Sequence, residues 1–316
     1  MYLQQFKEDQ TTILKYLPFV MGFLGFMTLN IVSSLILNVD SEAMITASIN
    51  QWGRNVTFFT FLLPFVFFMI LLFLWWKMVH KKTMVQLTTA RSKIDYKRIG
   101  FSFTIWIGIN LIVLFISYLL DPTSLQLNFN LHAFIPLFLV AIIFIPIQTS
   151  FEEYFFILYF LQFTAFVSKN RFIALISTSV IFGLMHISNP EVSDMGPIIM
   201  IFYIGCGITL GIMTLMDDGL ELALGFHAAN NLLGALLVTN DSAVFQTDAI
   251  FNSTSNLSIN ELLIQVFVIF PILLYIFAKK YNWRYIRMSF LGEQIKKSRN
   301  IKGMTQQATA DALGER

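Results

Sequence analysis

Long uncharged apolar stretches recur along this chain, and short connections between them hold most of the charged residues. They lie at about 16–39, 56–76, 100–120, 131–168, 171–189, 196–216, 219–238 and 261–278. A helical run of about 20 apolar residues crosses the ~30 Å hydrocarbon core of a bilayer. Backbone groups cannot stay unpaired in lipid, and no alternating pattern indicates a barrel. The pattern therefore predicts an all-α, polytopic membrane helix bundle of about eight transmembrane helices.

The fourth stretch, residues 131–168, is too long for one ordinary span. Because an α-helix rises about 1.5 Å per residue, it would extend about 57 Å as one helix. Pro146 removes a helix hydrogen bond inside it. We therefore predict a kinked fourth span, with a kink or break near Ile145–Ser150 and freed carbonyl groups lining a cavity. The alternative is that the run forms two spans, nine in all, which would place the basic C-terminal tail outside.

Composition supports a membrane protein: 56% of the residues are hydrophobic, 13% are charged, and the mean hydropathy is +0.68. Soluble domains carry about 25% charged residues. A net charge of +2 gives no electrostatic argument for nucleic acid as a partner. The single cysteine, Cys206, excludes a disulfide framework and a cysteine-rich metal site.

Lysine and arginine concentrate in alternate connections, above all in residues 77–98 and in the tail. The positive-inside rule then predicts that both termini are cytoplasmic, and we expect a multi-pass protein of the plasma membrane. We divide the chain into N-terminal transmembrane helices (1–125), catalytic helices (130–240), a loop with the last span (241–280) and a basic cytoplasmic tail (281–316).

Residues 291–314 of the tail look like the first two helices of a repressor-type helix-turn-helix, with no recognition helix after them. Major-groove readout needs such a helix, so we expect no nucleic-acid binding. The basic residues of the tail instead favour the anionic inner leaflet of the bilayer.

Candidate chemistry lies inside the spans. Glu152 and Glu153 are the only charged residues between Leu131 and Ser168. A charged group at mid-bilayer costs about 3 kcal/mol on insertion scales, which marks these two as functional. Neighbouring residues lie about 100° apart on a helix, so we expect the two glutamates to have different roles.

Two further spans carry polar groups. His186 follows Phe182 by four residues and His227 precedes Asn231 by four, so each pair shares a helix face. One such group could simply join two helices by a hydrogen bond. Three helices that each present a polar group favour water activation. In that chemistry a carboxylate takes the proton of the water, and imidazole and amide groups stabilise an oxyanion. The remaining histidines, His80 and His132, are expected to be solvated.

These residues, in this order, resemble the CPBP family, the CAAX prenyl proteases and bacteriocin-processing (Abi) membrane proteins. The family carries Glu-Glu-x-x-x-Arg, Phe-x-x-x-His and His-x-x-x-Asn/Asp. The matching segments, within about residues 130–240, are Glu152-Glu153-Tyr-Phe-Phe-Ile157, Phe182-Gly-Leu-Met-His186 and His227-Ala-Ala-Asn-Asn231.

The resemblance implies an intramembrane endopeptidase with a cavity open to the cytoplasmic side and a membrane-associated peptide or lipidated protein as substrate. It implies that Glu152 activates the water, that His186 assists or positions it, and that His227 and Asn231 stabilise the oxyanion. Family members are named metalloproteases, yet a metal-free glutamate mechanism is also proposed. The expected cofactor is therefore zinc, with Glu152, His186 and His227 as candidate ligands and an open fourth position, or none.

Ile157 stands where the family has arginine, which on a helix would pair with Glu153. Without that cation, Glu153 is expected to be protonated or to find a donor on another helix. Two alternatives stay open. One is a non-proteolytic member, such as an immunity, scaffold or chaperone-like membrane protein that lost activity with the arginine. The other is a transporter or channel, which the lack of inverted repeats disfavours.

Overall fold

The computed structural model describes residues 12–36, 41–240, 243–254 and 258–283, most of them helical. The α-helices, in chain order, are α1 Thr12–Ile36, α2 Ser41–Trp52, α3 Arg54–Trp75, α4 Met84–Thr88, α5 Tyr96–Leu120, α6 Leu131–Glu152, α7 Leu161–Ser168, α8 Arg171–Leu184, α9 Pro190–Met195, α10 Met200–Asp217, α11 Glu221–Leu236, α12 Ile259–Ile264 and α13 Phe270–Tyr281. The π-helical segments are Trp76–His80, Glu153–Phe160 and Gln265–Ile269, and the 3-10 turns are Pro122–Ser124 and Pro197–Ile199.

Five helical segments among the described residues are long and apolar enough to cross a membrane: Arg54–His80, Tyr96–Leu120, Leu131–Ser168, Pro197–Asp217 and Ile259–Tyr281. The predicted all-α membrane bundle is confirmed, but a count of about eight spans is not. The helix α8 has 14 residues and α11 has 16. At about 1.5 Å per residue, both are shorter than the bilayer core. The helix-turn-helix-like tail segment lies outside the described residues.

Residues 131–168 form one helical run and not two spans. The α geometry persists through Pro146 to Glu152, and the helix then widens to π geometry over Glu153–Phe160. The change in helix geometry therefore falls several residues after the Ile145–Ser150 segment where the kink was predicted. One missing hydrogen bond at a proline is tolerated in a membrane helix. A π segment inside an α-helix often marks a functional site, and here it begins at the second glutamate.

Stacked aromatic rings fix the rotation of this helix. The ring of Phe155 stacks on that of Phe151 at 5.8 Å and on that of Tyr159 at 6.5 Å, with interplanar angles of 13° and 16°. On the same side, Phe23 of α1 packs against Phe155 at 4.2 Å. Because this face of the helix is occupied by aromatic packing, Glu152 and Glu153 are directed to other neighbours.

A small sheet lies at one end of the bundle. The strands are β1 Leu125–Leu127, β2 Val238–Thr239 and β3 Phe251–Ser253, in the order β1-β3-β2. The pairing of β1 with β3 is antiparallel and that of β2 with β3 is parallel. Nearby, Glu191 accepts a hydrogen bond from the backbone N–H of Val244 at 2.9 Å, and burial raises the pKa of this carboxyl group. This hydrogen bond joins α9 to the connection that follows β2.

Glycine lets α11 approach α5 closely. A Cβ atom at Gly225 would collide with the backbone carbonyl of Ile99 and would lie 3.1 Å from the backbone nitrogen of Phe103. Backbone atoms cannot move aside as a flexible side chain can. The lack of a side chain at Gly225, two residues before His227, therefore lets α11 pack closely against α5.

Substitution of Gly225 by alanine should destabilise the protein by about 1–3 kcal/mol, the usual cost of overpacking. Thermal or denaturant unfolding in detergent micelles measures this. Gly234→Ala, on the same helix, is the matched control because a Cβ atom there meets no described residue within 4 Å. Equal stability of the two variants would contradict the close approach of α11 and α5.

Candidate active site

Three buried ionisable side chains meet where α11 packs against α6. Glu152 is the last residue of α6, and Glu153 is the first residue of the π-helical segment that follows. His227 lies in the second turn of α11. Their exposed fractions are 8%, 0% and 6%, respectively, so the charges interact with little water between them.

The imidazole ring of His227 contacts both carboxylates. Its Nδ1 atom lies 2.7 Å from Oε1 of Glu153, and its Nε2 atom lies 3.5 Å from Oε2 of Glu152. The donor that Glu153 was expected to need on another helix is thus His227. The side chain of Ile157 is fully buried in the aromatic core and supplies no charge. Oε2 of Glu153 is buried and has no hydrogen-bond partner among the described residues.

Asn231 reaches the same cluster through Gln148, a residue that the sequence analysis missed. The Nε2 amide group of Gln148 donates to Oε1 of Glu152 at 2.6 Å, and its Oε1 atom accepts from Nδ2 of Asn231 at 3.1 Å. Gln148 precedes Glu152 by four residues on a continuous α-helix. That spacing is the signal that could have identified it, since residues four apart share a helix face.

His186 lies beside the cluster but is not hydrogen-bonded into it. Its Nδ1 atom is 2.8 Å from the carbonyl oxygen of Phe182, and its ring stacks on Tyr203 at 4.4 Å. The ring of Phe182 lies 5.0 Å from that of His186 and 6.1 Å from that of His227. Phe182 therefore contacts both imidazoles. Within the described part of the chain, no hydrogen bond joins His186 to either glutamate.

The candidate zinc ligands do not come together. Within the described ranges, no group of three His, Cys, Asp or Glu side chains could hold a metal ion. The geometry gives the reason: His186 turns Nδ1 toward its own helix, and His227 has a glutamate at each ring nitrogen. These residues do not fit a three-ligand zinc centre in this arrangement.

His80 was expected to be solvated, and this expectation is wrong. It ends the π-helical extension of α3, its ring stacks on Trp76 at 4.5 Å, and its Nε2 atom lies 3.1 Å from the hydroxyl of Tyr159. Because His80 lies among basic residues in the sequence, a solvated loop was predicted and this packing was not. His132 is exposed, as expected.

The helices that carry this site lie in the part of the chain that is similar to a known family. Residues 131–233 match the family Rce1-like, described as type II CAAX prenyl endopeptidase Rce1-like. The predicted resemblance to the CAAX prenyl proteases is confirmed over this segment of the chain. It contains all three motifs and the residues that meet at His227.

A curated relative, Uncharacterized protein YyaK of Bacillus subtilis (strain 168), is 31% identical over 170 residues. The aligned part is 54% of this chain and 57% of that relative, so the chain spans little more than half of its length. No solved structure matches. The apolar helices and the family match together indicate an integral membrane protein, of which residues 131–233 are similar to the CAAX prenyl endopeptidases.

Proposed function

We propose that this protein is an intramembrane endopeptidase that hydrolyses a peptide bond in a membrane-associated or lipidated peptide at the plasma membrane. One observation carries the proposal. A single imidazole, that of His227, lies between two buried carboxylates of a neighbouring helix, 2.7 Å from Glu153 and 3.5 Å from Glu152. In such a set one carboxylate can take a proton from a reactant, while the other holds the imidazole in a fixed orientation and charge state.

In the proposed reaction Glu152 is the general base. Its carboxylate takes a proton from water, and the water oxygen attacks the carbonyl carbon of the scissile bond. Glu152 then gives the proton to the leaving nitrogen, the C–N bond breaks, and the products are a carboxylic acid and an amine. Glu152 suits this role because Gln148 engages its Oε1 atom and leaves Oε2, on the His227 side, for the water.

His227 and Asn231 would stabilise the tetrahedral oxyanion. The negative charge of Glu153 at Nδ1 favours the protonated imidazole, whose Nε2–H then donates a hydrogen bond to developing negative charge. The amide of Asn231 has two hydrogens, one of which is used by Gln148, so the second remains for substrate. His186 acts at the edge of the site, where it positions the substrate or the water beside Phe182.

A second candidate rests on Ile157 and on the Oε2 atom of Glu153, which has no hydrogen-bond partner in the described part of the chain. These features fit a site that kept its packing without its chemistry, as in a non-proteolytic immunity, scaffold or chaperone-like protein. Folded protein that binds membrane peptides and cleaves none of them would favour this reading.

The test is peptide cleavage by the full chain in liposomes, with a panel of membrane-associated peptides that includes prenylated ones. The variant His227→Ala should lose about 10²–10³-fold in kcat, the usual effect of removing one oxyanion donor. The variant His132→Ala should retain wild-type activity, because that histidine is exposed on the bundle edge. No cleavage by the wild type, or equal cleavage by His227→Ala, would overturn the proposal.

A further inference from the structure

A line of side-chain hydrogen bonds crosses three helices and ends on Glu152. On α5, the indole Nε1 of Trp106 donates to Oδ1 of Asn230 on α11 at 3.2 Å. The Nδ2 group of Asn230 donates to Oδ1 of Asn231 at 3.2 Å. Asn231 then donates to Gln148 at 3.1 Å, and Gln148 donates to Glu152 at 2.6 Å.

The two ends of this line set its direction. An indole N–H donates and never accepts, and an ionised carboxylate accepts and never donates. Each of the three amides between them must accept through oxygen and donate through nitrogen. Turning one amide over would place N–H against N–H on one side and oxygen against oxygen on the other. The amide orientations are therefore determined by Trp106 and Glu152 together, and not chosen locally.

The anchor of the line is rigid. Trp106 is fully buried, and its ring packs at 4.5 Å against Phe226 and at 5.7 Å against Phe270. The indole N–H therefore has little freedom to leave Asn230. A donor that is fixed by packing biases every group further along the line toward the arrangement in which Glu152 accepts.

We propose that Trp106, Asn230 and Gln148 are positioning residues for the reaction at Glu152. They deliver a hydrogen bond to Oε1 of Glu152, which favours the ionised carboxylate that a general base needs, and they fix the amide of Asn231 with one N–H available for substrate. This inference rests on the proposed function for its effect on the rate. The effect on the protonation of Glu152 does not depend on peptide cleavage.

The variant Trp106→Phe removes the N–H and keeps an aromatic ring. We expect kcat to fall about tenfold, the value of one hydrogen bond, with little change in KM. The acid limb of the pH–rate profile should move to higher pH, because an amide line without its donor no longer favours the ionised carboxylate. Gln148→Leu, which removes the donor that touches Glu152, should move the acid limb further.

The matched control is Trp75→Phe. Trp75 also donates through its indole nitrogen inside the bundle, to the carbonyl of Lys15 and the hydroxyl of Tyr159, but away from the line. It should leave the pH–rate profile at the wild-type position. A hydrogen-bond line that only joins helices would lower stability in Trp106→Phe without moving the profile.

A second readout separates this proposal from the proposed function. Dicyclohexylcarbodiimide reacts with protonated carboxyl groups in apolar surroundings, and mass spectrometry can locate the adduct on Glu152 or Glu153. In folded Trp106→Phe and Gln148→Leu, labelling of Glu152 should persist to higher pH than in the wild type. A labelling shift without any peptide cleavage supports the positioning role and overturns the proposed protease. Identical labelling curves for wild type and both variants overturn the positioning role.

Discussion

Glu152→Gln is expected to lower kcat for peptide cleavage by about 10³–10⁴-fold, at the upper end of what general base catalysis supplies. The glutamine has nearly the shape of glutamate, and its carbonyl oxygen can still accept from Gln148. What it lacks is the ability to take a proton from water. Single-turnover cleavage of a membrane peptide in liposomes measures the chemical step without product release.

Glu153→Gln is the matched comparison, since it makes the same chemical change one residue along. Glu153 acts through His227, whose orientation it fixes at Nδ1, so a loss of about 10–100-fold is expected. Both variants should fold, because each exchanges a buried carboxyl for an amide of the same size. If Glu153→Gln loses more activity than Glu152→Gln, then Glu152 is not the general base.

The sequence predicted the membrane bundle. It also indicated Glu152, Glu153 and His227 as site residues, because carboxylates and imidazoles are rare in apolar runs. It did not predict how they meet. Ideal helix geometry separates Glu152 and Glu153 by about 100°, which suggested separate surroundings. In the structure the π segment begins between them, and both reach one imidazole, on different nitrogens. Helix widening depends on tertiary packing, which local sequence does not reveal.

Gln148, Trp106 and Asn230 were missed for a related reason. A neutral polar residue in a membrane helix often makes a local contact, and its spacing does not tell which neighbouring helix it faces. The count of about eight spans was not confirmed, because hydropathy cannot separate a helix that faces lipid from one that faces protein. The helix α11 packs against α5, α6 and α10, so its 16 residues need not match the bilayer thickness.

A buried ion cluster at the opposite end of the bundle from the sheet fixes where α11 begins. Asp217 ends α10, Glu221 starts α11, and their side chains are 1% and 0% exposed. Arg91 contacts both: Nη2 lies 2.9 Å from Oδ2 of Asp217, and Nη1 lies 3.1 Å from Oε2 of Glu221. Arg98 and Trp283 also bind Asp217. His227 follows Glu221 by less than two helical turns, so the cluster sets the position of the imidazole.

Arg91→Ala should therefore destabilise the protein by about 3–5 kcal/mol, because it leaves two buried carboxylates short of a charge partner. Arg91→Lys should recover only part of this loss, since one ammonium group cannot span both carboxylates as the guanidinium fork does. Denaturant unfolding in micelles measures the difference. Lys93→Ala, an exposed basic residue two positions along, should change stability by less than about 0.5 kcal/mol. If Arg91→Ala is as stable as Lys93→Ala, the cluster does not hold α11, and the position of His227 depends on the close contact of Gly225 with α5 instead.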